Sequence, residues 1–276
     1  MIEFLLPAVI AVGGMGLVSA IILYFVAKKF EVQEDPRTAE ILSLLPAVNC
    51  GGCGYPGCPG FADACVKAST LDKLFCPVGG MQTMKGIAAI LGQSVVNREP
   101  TVAVVHCQGS CDKRSHTNTY DGVDNCAMAS ALYGGETACS YGCLNFGDCV
   151  SACLFHAIRI NSETQLPEVD ENRCTACGSC AKACPKQLIQ LKKKGPDSHR
   201  IYVACMNKEK GGIARKACAA ACIACSKCLK ICEFGAISIV DNLACIDDTK
   251  CTLCGKCVGE CPTSVIVEHL KTEIAL

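Results

Sequence analysis

The sequence predicts an α+β chain in three parts: one N-terminal helix long enough to cross a membrane, a small domain closed around four cysteines, and two copies of a compact cysteine-rich module. Three observations predict it. Residues 4–26 are uncharged and largely apolar, four cysteines crowd a glycine-rich stretch after the following linker, and two runs of identical C-x2-C-x2-C-x3-C-P spacing lie in the C-terminal half. Of 276 residues 27 are cysteine, while Trp is absent and only eight Phe and six Tyr are present. The hydrophobic fraction of 50% therefore overstates the apolar core available, and cysteine chemistry must organise much of the chain. Lys plus Arg and Asp plus Glu number 26 each, so no charge excess points to nucleic acid or to an anionic membrane surface.

The first element follows from length. At 1.5 Å per residue the run 4–26 spans a hydrocarbon core of about 30 Å. The basic pair Lys28-Lys29 follows it and the only early charge is Glu3, the reverse of a cleaved signal peptide, although Val18-Ser19-Ala20 resembles a cleavage site. The positive-inside rule places Met1 outside and everything after Lys29 in the cytoplasm, a reducing compartment that disfavours disulfides. Gly13, Gly14, Gly16 and Ala20 would let a second helix approach closely, although glycine is also simply common in membrane helices. One span without an internal charge cannot form an ion pathway alone.

Beyond a charged linker, an amphipathic stretch around Ile41, Leu44 and Leu45 predicts a helix. Cys50, Cys53, Cys58 and Cys76 follow, interleaved with Gly51, Gly52, Gly54 and Gly57, which let the backbone turn tightly and aim N–H groups at sulfur. This predicts a loop wrapping one inorganic cluster, with a zinc site as the competing reading of the quartet. Cys65 lies in an expected helix over 60–68 and reads as a small packed residue.

The cysteine runs Cys174, Cys177, Cys180, Cys184 and Cys251, Cys254, Cys257, Cys261 carry the bacterial ferredoxin spacing. Three close thiolates hold three corners of a [4Fe-4S] cube, and the fourth Cys, turned away by Pro, reaches the neighbouring cube. Upstream partners exist for both. Cys222, Cys225, Cys228 and Cys232 repeat the spacing with Glu233 in place of Pro. The crosswise rule then groups Cys222, Cys225, Cys228 with Cys261, and Cys251, Cys254, Cys257 with Cys232, leaving Cys245 structural. In the earlier module Phe146 occupies the usual second ligand position and Leu154 replaces Pro. Cys139 is the expected substitute, grouping Cys139, Cys143, Cys149 with Cys184, and Cys174, Cys177, Cys180 with Cys153.

Two strand-like runs, VAVVHC and IYVAC, end in Cys107 and Cys205 and are expected to pair and bring their thiols together. Cys107, Cys111 and Cys126, with Cys205 or Cys218 as fourth ligand, make a candidate sixth cluster beside the five expected ones; the alternative is a set of buried free thiols. His106 reads as a packed or surface imidazole. The boundaries are an anchor at 1–29, the linker and four-Cys domain at 30–98, a cysteine-containing connection at 99–138, the first two-cluster module at 139–198, a second connection at 199–221 and the second module at 222–276.

With its single span, the quartet NCGGCGYPGCPGFADAC through Cys76-Pro77-Val78-Gly79-Gly80, the VHCQGSC segment and the two modules, the whole chain resembles the B subunit of the Rnf complex, the ion-translocating ferredoxin:NAD oxidoreductase of bacterial membranes. The quartet alone is also similar to the cluster domain of corrinoid iron-sulfur proteins. The resemblance implies a subunit of the bacterial inner membrane whose iron-sulfur domains face the cytoplasm. It implies that this subunit exchanges electrons with soluble ferredoxin, while partner subunits carry flavins, the NAD site and the ion path. The departures at Phe146, Leu154 and Glu233 bear on individual ligands.

The residues agree on what is missing. No G-x-G-x-x-G opens a helix after a strand, no P-loop is present, and no nucleophile-base pair stands apart from the cluster thiols, so neither a nucleotide site nor bond-making chemistry is expected on this chain. One-electron transfer is the expected chemistry. Lys182, Lys186, Lys192, Lys193 and Lys194 would attract an acidic ferredoxin, or form an ordinary solvated face. A wiring subunit of a membrane hydrogenase, and an iron-sulfur sensor, are the alternatives.

Overall fold

The computed structural model describes residues 2–29, 35–132 and 134–270, with the backbone alone over 2–12. Helix α1 (Ile2–Lys29) carries Lys28 and Lys29 in its last turn. Among the residues whose side chains are described, no helix is long and apolar enough to cross a membrane.

The four-Cys domain is built from three helices, α2 (Pro36–Leu44), α3 (Gly57–Lys67) and α4 (Gly80–Leu91). Asp35 caps α2, its carboxylate accepting from the Arg37 N–H at 2.9 Å, and Pro36 at the first helical position fits a site where no N–H bond is needed. Gly92, at φ 65°, closes α4 in the left-handed region. Their apolar faces meet in a conventional core of Ile41, Phe61, Leu71, Met84 and Ile87, with Cys65 fully buried among them. Burial pushes the Cys65 thiol up to about 12, as suits a packed neutral thiol.

The rest of the chain repeats one plan. In the first module β1 (Thr101–Val105) pairs antiparallel with β4 (Ile189–Lys193), enclosing the helical turn α6 (Asp148–Ser151), the hairpin of β2 (Ile158–Ile160) and β3 (Pro167–Val169), and α7 (Ser179–Ala183); α5 (Cys126–Leu132) precedes this unit's first turn. In the second, β5 (Arg200–Val203) pairs with β8 (Ile266–His269) around α9 (Lys227–Ile231), the hairpin of β6 (Ile237–Val240) and β7 (Leu243–Ile246), and α10 (Lys256–Gly259); α8 (Gly211–Ala217) lies between β5 and α9. The two runs ending in Cys107 and Cys205 thus do not pair with each other. Each closes its own module by pairing with that module's last strand, because the outgoing strand offers an apolar partner of matching length. Their ends nonetheless meet: the His106 ring nitrogen Nδ1 lies 2.7 Å from the Val203 carbonyl oxygen, and the imidazole is buried.

The second module's core, Ile201, Val203, Ile237, Leu243, Val265 and Ile266, is eked out with Ala214, Ala220, Ala221, Ala244 and the cysteines themselves. Such small side chains fill little volume, so the space they leave falls around the sulfurs.

Candidate iron-sulfur sites

Four short loops share one conformation. The residues flanking the second position of each three-cysteine run are left-handed: Ala176 and Gly178 around Cys177 (φ 56° and 78°), Ala224 and Ser226 around Cys225 (53° and 60°), Leu253 and Gly255 around Cys254 (59° and 73°). Asn145 and Gly147 (67° and 79°) flank Phe146 in the same way. Alternating left-handed residues turn successive N–H groups and side chains toward one centre, which is the geometry a cluster-binding loop requires. The loop therefore persists where its second thiol is missing.

The fourth cysteines share a second device. Three residues after each, His156, Gln187, Gly235 and Ser264 take φ of 49°, 53°, 60° and 50°, and each donates its N–H back to the carbonyl of the cysteine. One residue later the N–H groups of Ala157 and Leu188 reach the sulfurs of Cys153 and Cys184 at 3.3 and 3.4 Å. The next residue is in every case a buried isoleucine opening a strand: Ile158, Ile189, Ile237 and Ile266. Leu154 and Glu233 enter the same turn as Pro185 and Pro262. Proline thus favours this turn without being needed for it.

The cavities show which thiols face one another. One is lined by Cys222, Cys225, Cys228 and Cys261; another by Cys232, Cys251, Cys254 and Cys257. A third is lined by Cys50, Cys53, Cys58 and Cys76 together with Phe61 and Val78. Four cysteines lining each one fit one kind of occupant repeated. Among the described residues no three His, Cys, Asp or Glu side chains are grouped as ligands of a single metal ion, so the thiols are spread around these cavities. In the remaining crosswise group, Cys180 has Cys174, Cys177 and Cys153 as its electrostatic neighbours.

The fourth cavity is lined by Cys126, Cys143, Cys149 and Cys184. Cys139, the substitute expected for Phe146, is not among them. Cys126 arrives because the Asp148 carboxylate accepts from the N–H groups of Cys126 and Ala127 at 2.9 and 3.1 Å, capping α5 from the cluster loop itself. Phe146 turns instead to Tyr120, ring centroids 5.5 Å apart. Asp148 together with Asn125, whose Oδ1 accepts from the Met128 N–H at 2.9 Å, fixes the start of α5 and so places Cys126 at the cavity. Cys139 stands beside Asn207, whose Nδ2 lies 3.4 Å from its sulfur. Cys111 is exposed and its thiol donates to the Glu163 carbonyl at 3.4 Å, away from the other candidates of its group.

The electrostatics suit metal-bound thiolates. Burial pushes the Cys143 and Cys149 thiols up to about 12, and those of Cys228 and Cys257 up to about 11. Neighbouring sulfurs add to the rise, so such groups ionise together only around a positive core, and loading releases protons. At Cys261 burial raises the thiol, but N–H groups of Ile266, Thr263 and Val265 outweigh it and bring it below its ordinary value. The donor set, the cavities and the N–H groups aimed at sulfur all fit [4Fe-4S] clusters, which would supply one-electron chemistry. The lysine run is largely engaged: Lys192 pairs with Asp248 at 3.1 Å, Lys193 with Glu99 at 2.8 Å, and Lys186 donates to the Ser140 carbonyl.

Comparison with known proteins agrees with the geometry. Residues 45–74 match an Fe-S cluster family, and residues 137–188 and 221–265 each match a 4Fe-4S dicluster domain. The chain is 42% identical over 96% of its length to the B subunit of the Na(+)-translocating ferredoxin:NAD(+) oxidoreductase complex of Acetobacterium woodii, 78% of which is covered. The chain belongs to the family of B subunits of ion-translocating oxidoreductase complexes. It is 38% identical to the family member of Methanosarcina acetivorans, over 96% of this chain and 99% of that one. It is also 38% identical to the B subunit of a proton-translocating ferredoxin:NAD(+) oxidoreductase complex from Clostridium ljungdahlii, over 91% and 88%. Relatives named for sodium and for protons are thus similarly close.

Proposed function

We propose that this chain is the membrane-anchored iron-sulfur subunit that takes electrons from soluble ferredoxin and relays them within an ion-translocating ferredoxin:NAD oxidoreductase. The four cavities, each lined by four cysteines in a family named for this complex, carry the reading. Five clusters are held by Cys50, Cys53, Cys58, Cys76; Cys126, Cys143, Cys149, Cys184; Cys153, Cys174, Cys177, Cys180; Cys222, Cys225, Cys228, Cys261; and Cys232, Cys251, Cys254, Cys257. The other subunits carry the flavins, the NAD site and the ion path.

The anchor is the run 4–26, with the N-terminus outside and the cluster domains in the cytoplasm. Supporting it, Leu17, Ile22, Leu23, Tyr24 and Phe25 of α1 are each more than half exposed around the helix, a surface that water disfavours and lipid accepts. Ferredoxin docks on the second module, where Cys225 and Cys254 are exposed and the exposed Lys227 and Lys230 provide positive charge for an acidic partner.

Mixing the full chain, purified anaerobically in detergent, with reduced ferredoxin tests the reading. The expected result is oxidation of ferredoxin with the appearance of reduced [4Fe-4S] signals in this chain. No electron uptake would assign the ferredoxin site to another subunit. Extraction of membranes at alkaline pH should leave the chain in the pellet, and its release would refute the anchor.

A further inference from the structure

Seven cysteines remain outside the five sets. Cys111 and Cys245 are exposed, and Cys65 is locked in the helical core. The other four come from four separate segments and meet between the two modules. Cys107 and Cys205 each lie two residues beyond the end of a strand, β1 and β5. Segment 113–117 bonds to 217–219 on one side (Ala219 N–H to Lys113 O 2.7 Å, Ser115 N–H to Ala217 O 3.2 Å) and to 136–138 on the other (Thr117 N–H to Glu136 O and Ala138 N–H to Ser115 O, both 2.9 Å), holding Cys218 and Cys139.

The sulfurs converge on shared neighbours. A Cβ at Gly109 would stand 3.1 Å from the Cys218 sulfur and 3.8 Å from that of Cys107, so only glycine leaves this space clear. Asn207 is buried and serves two thiols: its amide Nδ2 lies 3.4 Å from the Cys139 sulfur and its backbone N–H donates to Cys205 at 3.4 Å. Cys218 in turn has Cys139 and Cys107 as electrostatic neighbours. A buried cation stands next to them. Arg114 acts on Cys218, donates to the Cys143 carbonyl at 2.8 Å, and keeps its Nε buried without a hydrogen-bond partner. Burying a guanidinium on carbonyls alone is costly unless an anion balances it. Four thiolates around a [4Fe-4S] core make a net anion.

We propose that Cys107, Cys139, Cys205 and Cys218 bind a sixth [4Fe-4S] cluster, which joins the two dicluster modules electronically. On one side Cys107 neighbours Cys143 of the first module's cavity. On the other, the Cys205 sulfur accepts the backbone N–H of Cys222, a ligand of the second module, at 3.4 Å. The tight packing of Gly52, where a Cβ would lie 2.9 Å from the Cys177 carbonyl oxygen, sets the N-terminal quartet against the first module as well. The six centres then stand in one file: the Cys50 quartet, the Cys177 set, the Cys143 set, the bridging cluster, the Cys222 set and the Cys251 set. A reduced [4Fe-4S]1+ centre passes one electron to the bridging [4Fe-4S]2+ cluster; the donor returns to 2+ and the bridge becomes 1+, with no bond formed and no proton moved.

The site stands on geometry, while its relay role rests on the proposed ferredoxin reading, and the experiment separates the two. Anaerobic iron and sulfide analysis of the full chain should give about 24 Fe, counting four per cube, falling to about 20 in Cys218→Ser and in Cys107→Ser and staying at about 24 in Cys111→Ser. About 20 Fe in the unaltered chain, or an equal loss in Cys111→Ser, would overturn the site. Asn207→Leu keeps all four thiols and should retain the iron, while removing the amide donor to Cys139 should lower one cluster's midpoint potential. Unchanged potentials for every cluster would place Asn207 away from any cluster and count against the site. In Cys218→Ser a strong chemical reductant should reduce all five remaining clusters, whereas reduced ferredoxin should rapidly reduce only those of one module. Rapid reduction of all five by ferredoxin would refute the bridge. Failure of ferredoxin to reduce even the unaltered chain would refute the ferredoxin reading, and the iron count would still decide the site.

Discussion

The two dicluster modules run the same plan with different ligand economy. The second fills each second loop position with cysteine, Cys225 and Cys254, and closes both cavities from within the motifs. The first has Phe146 at that position of its opening loop and draws Cys126 from a segment outside the motif. Loop conformation is nevertheless the same, because it is set by the left-handed pairs flanking the position, Asn145 and Gly147 in one module, Ala224 and Ser226 or Leu253 and Gly255 in the other. Backbone geometry and ligand identity are therefore separable in this fold. Releasing Cys139 from the first module is also what frees it for the junction with the second.

The largest effect should come from breaking the imported ligand. Cys126→Ser should remove one cluster, about four Fe, by anaerobic iron analysis, and the double variant Cys126→Ser with Phe146→Cys should recover it, since position 146 has the same left-handed flanking residues as the loops that carry a cysteine there. Failure of the double variant to recover iron would mean that the shared loop conformation does not suffice for ligation.

Crossing is the feature both modules should share. Cys261→Ser should alter the cluster whose paramagnetic signal is lost in Cys225→Ser and retained in Cys254→Ser. The opposite dependence would make ligation local to each sequence run. A smaller effect is expected from Gly52→Val, where the added side chain meets the backbone of Cys177. Iron content should hold, while electron exchange between the quartet and the first module slows several-fold in time-resolved spectroscopy; unchanged rates would show that this contact is not on the electron path.

The smallest concerns the missing prolines. Leu154→Pro should change stability by less than about 1 kcal/mol in anaerobic unfolding, because Pro185 and Pro262 already occupy the equivalent place in the same turn. A large loss would show that the turn at Cys153 differs from the other three.

Much of the site was legible beforehand, because cluster ligation is written in short spacings. Two C-x2-C-x2-C-x3-C-P runs and a degenerate copy of each imply two crosswise pairs, and a fourfold rule that was not drawn from the sequence, isoleucine five residues after the fourth cysteine, was also present to be read. Helix α2 and the burial of Cys65 followed from apolar spacing over a few turns. The pairing of β1 with β4 and of β5 with β8 was not legible, since strand partners some ninety and sixty-five residues apart are equally apolar and either pairing satisfies the pattern.

The sequence by itself determined the cofactor class, the two-module repeat and the family, because thiolate number and local spacing are covalent properties of the chain. Tertiary structure alone decided which of Cys126 and Cys139 lines the first module's cavity. Asp148 reaches across 22 residues to cap the helix that begins at Cys126, while the Ala138 N–H bond to Ser115 and the Asn207 amide hold Cys139 elsewhere. It also decided where Cys107, Cys139, Cys205 and Cys218 meet, because thiols 111 residues apart at the extremes come together only through the way the modules pack, and no local spacing records it.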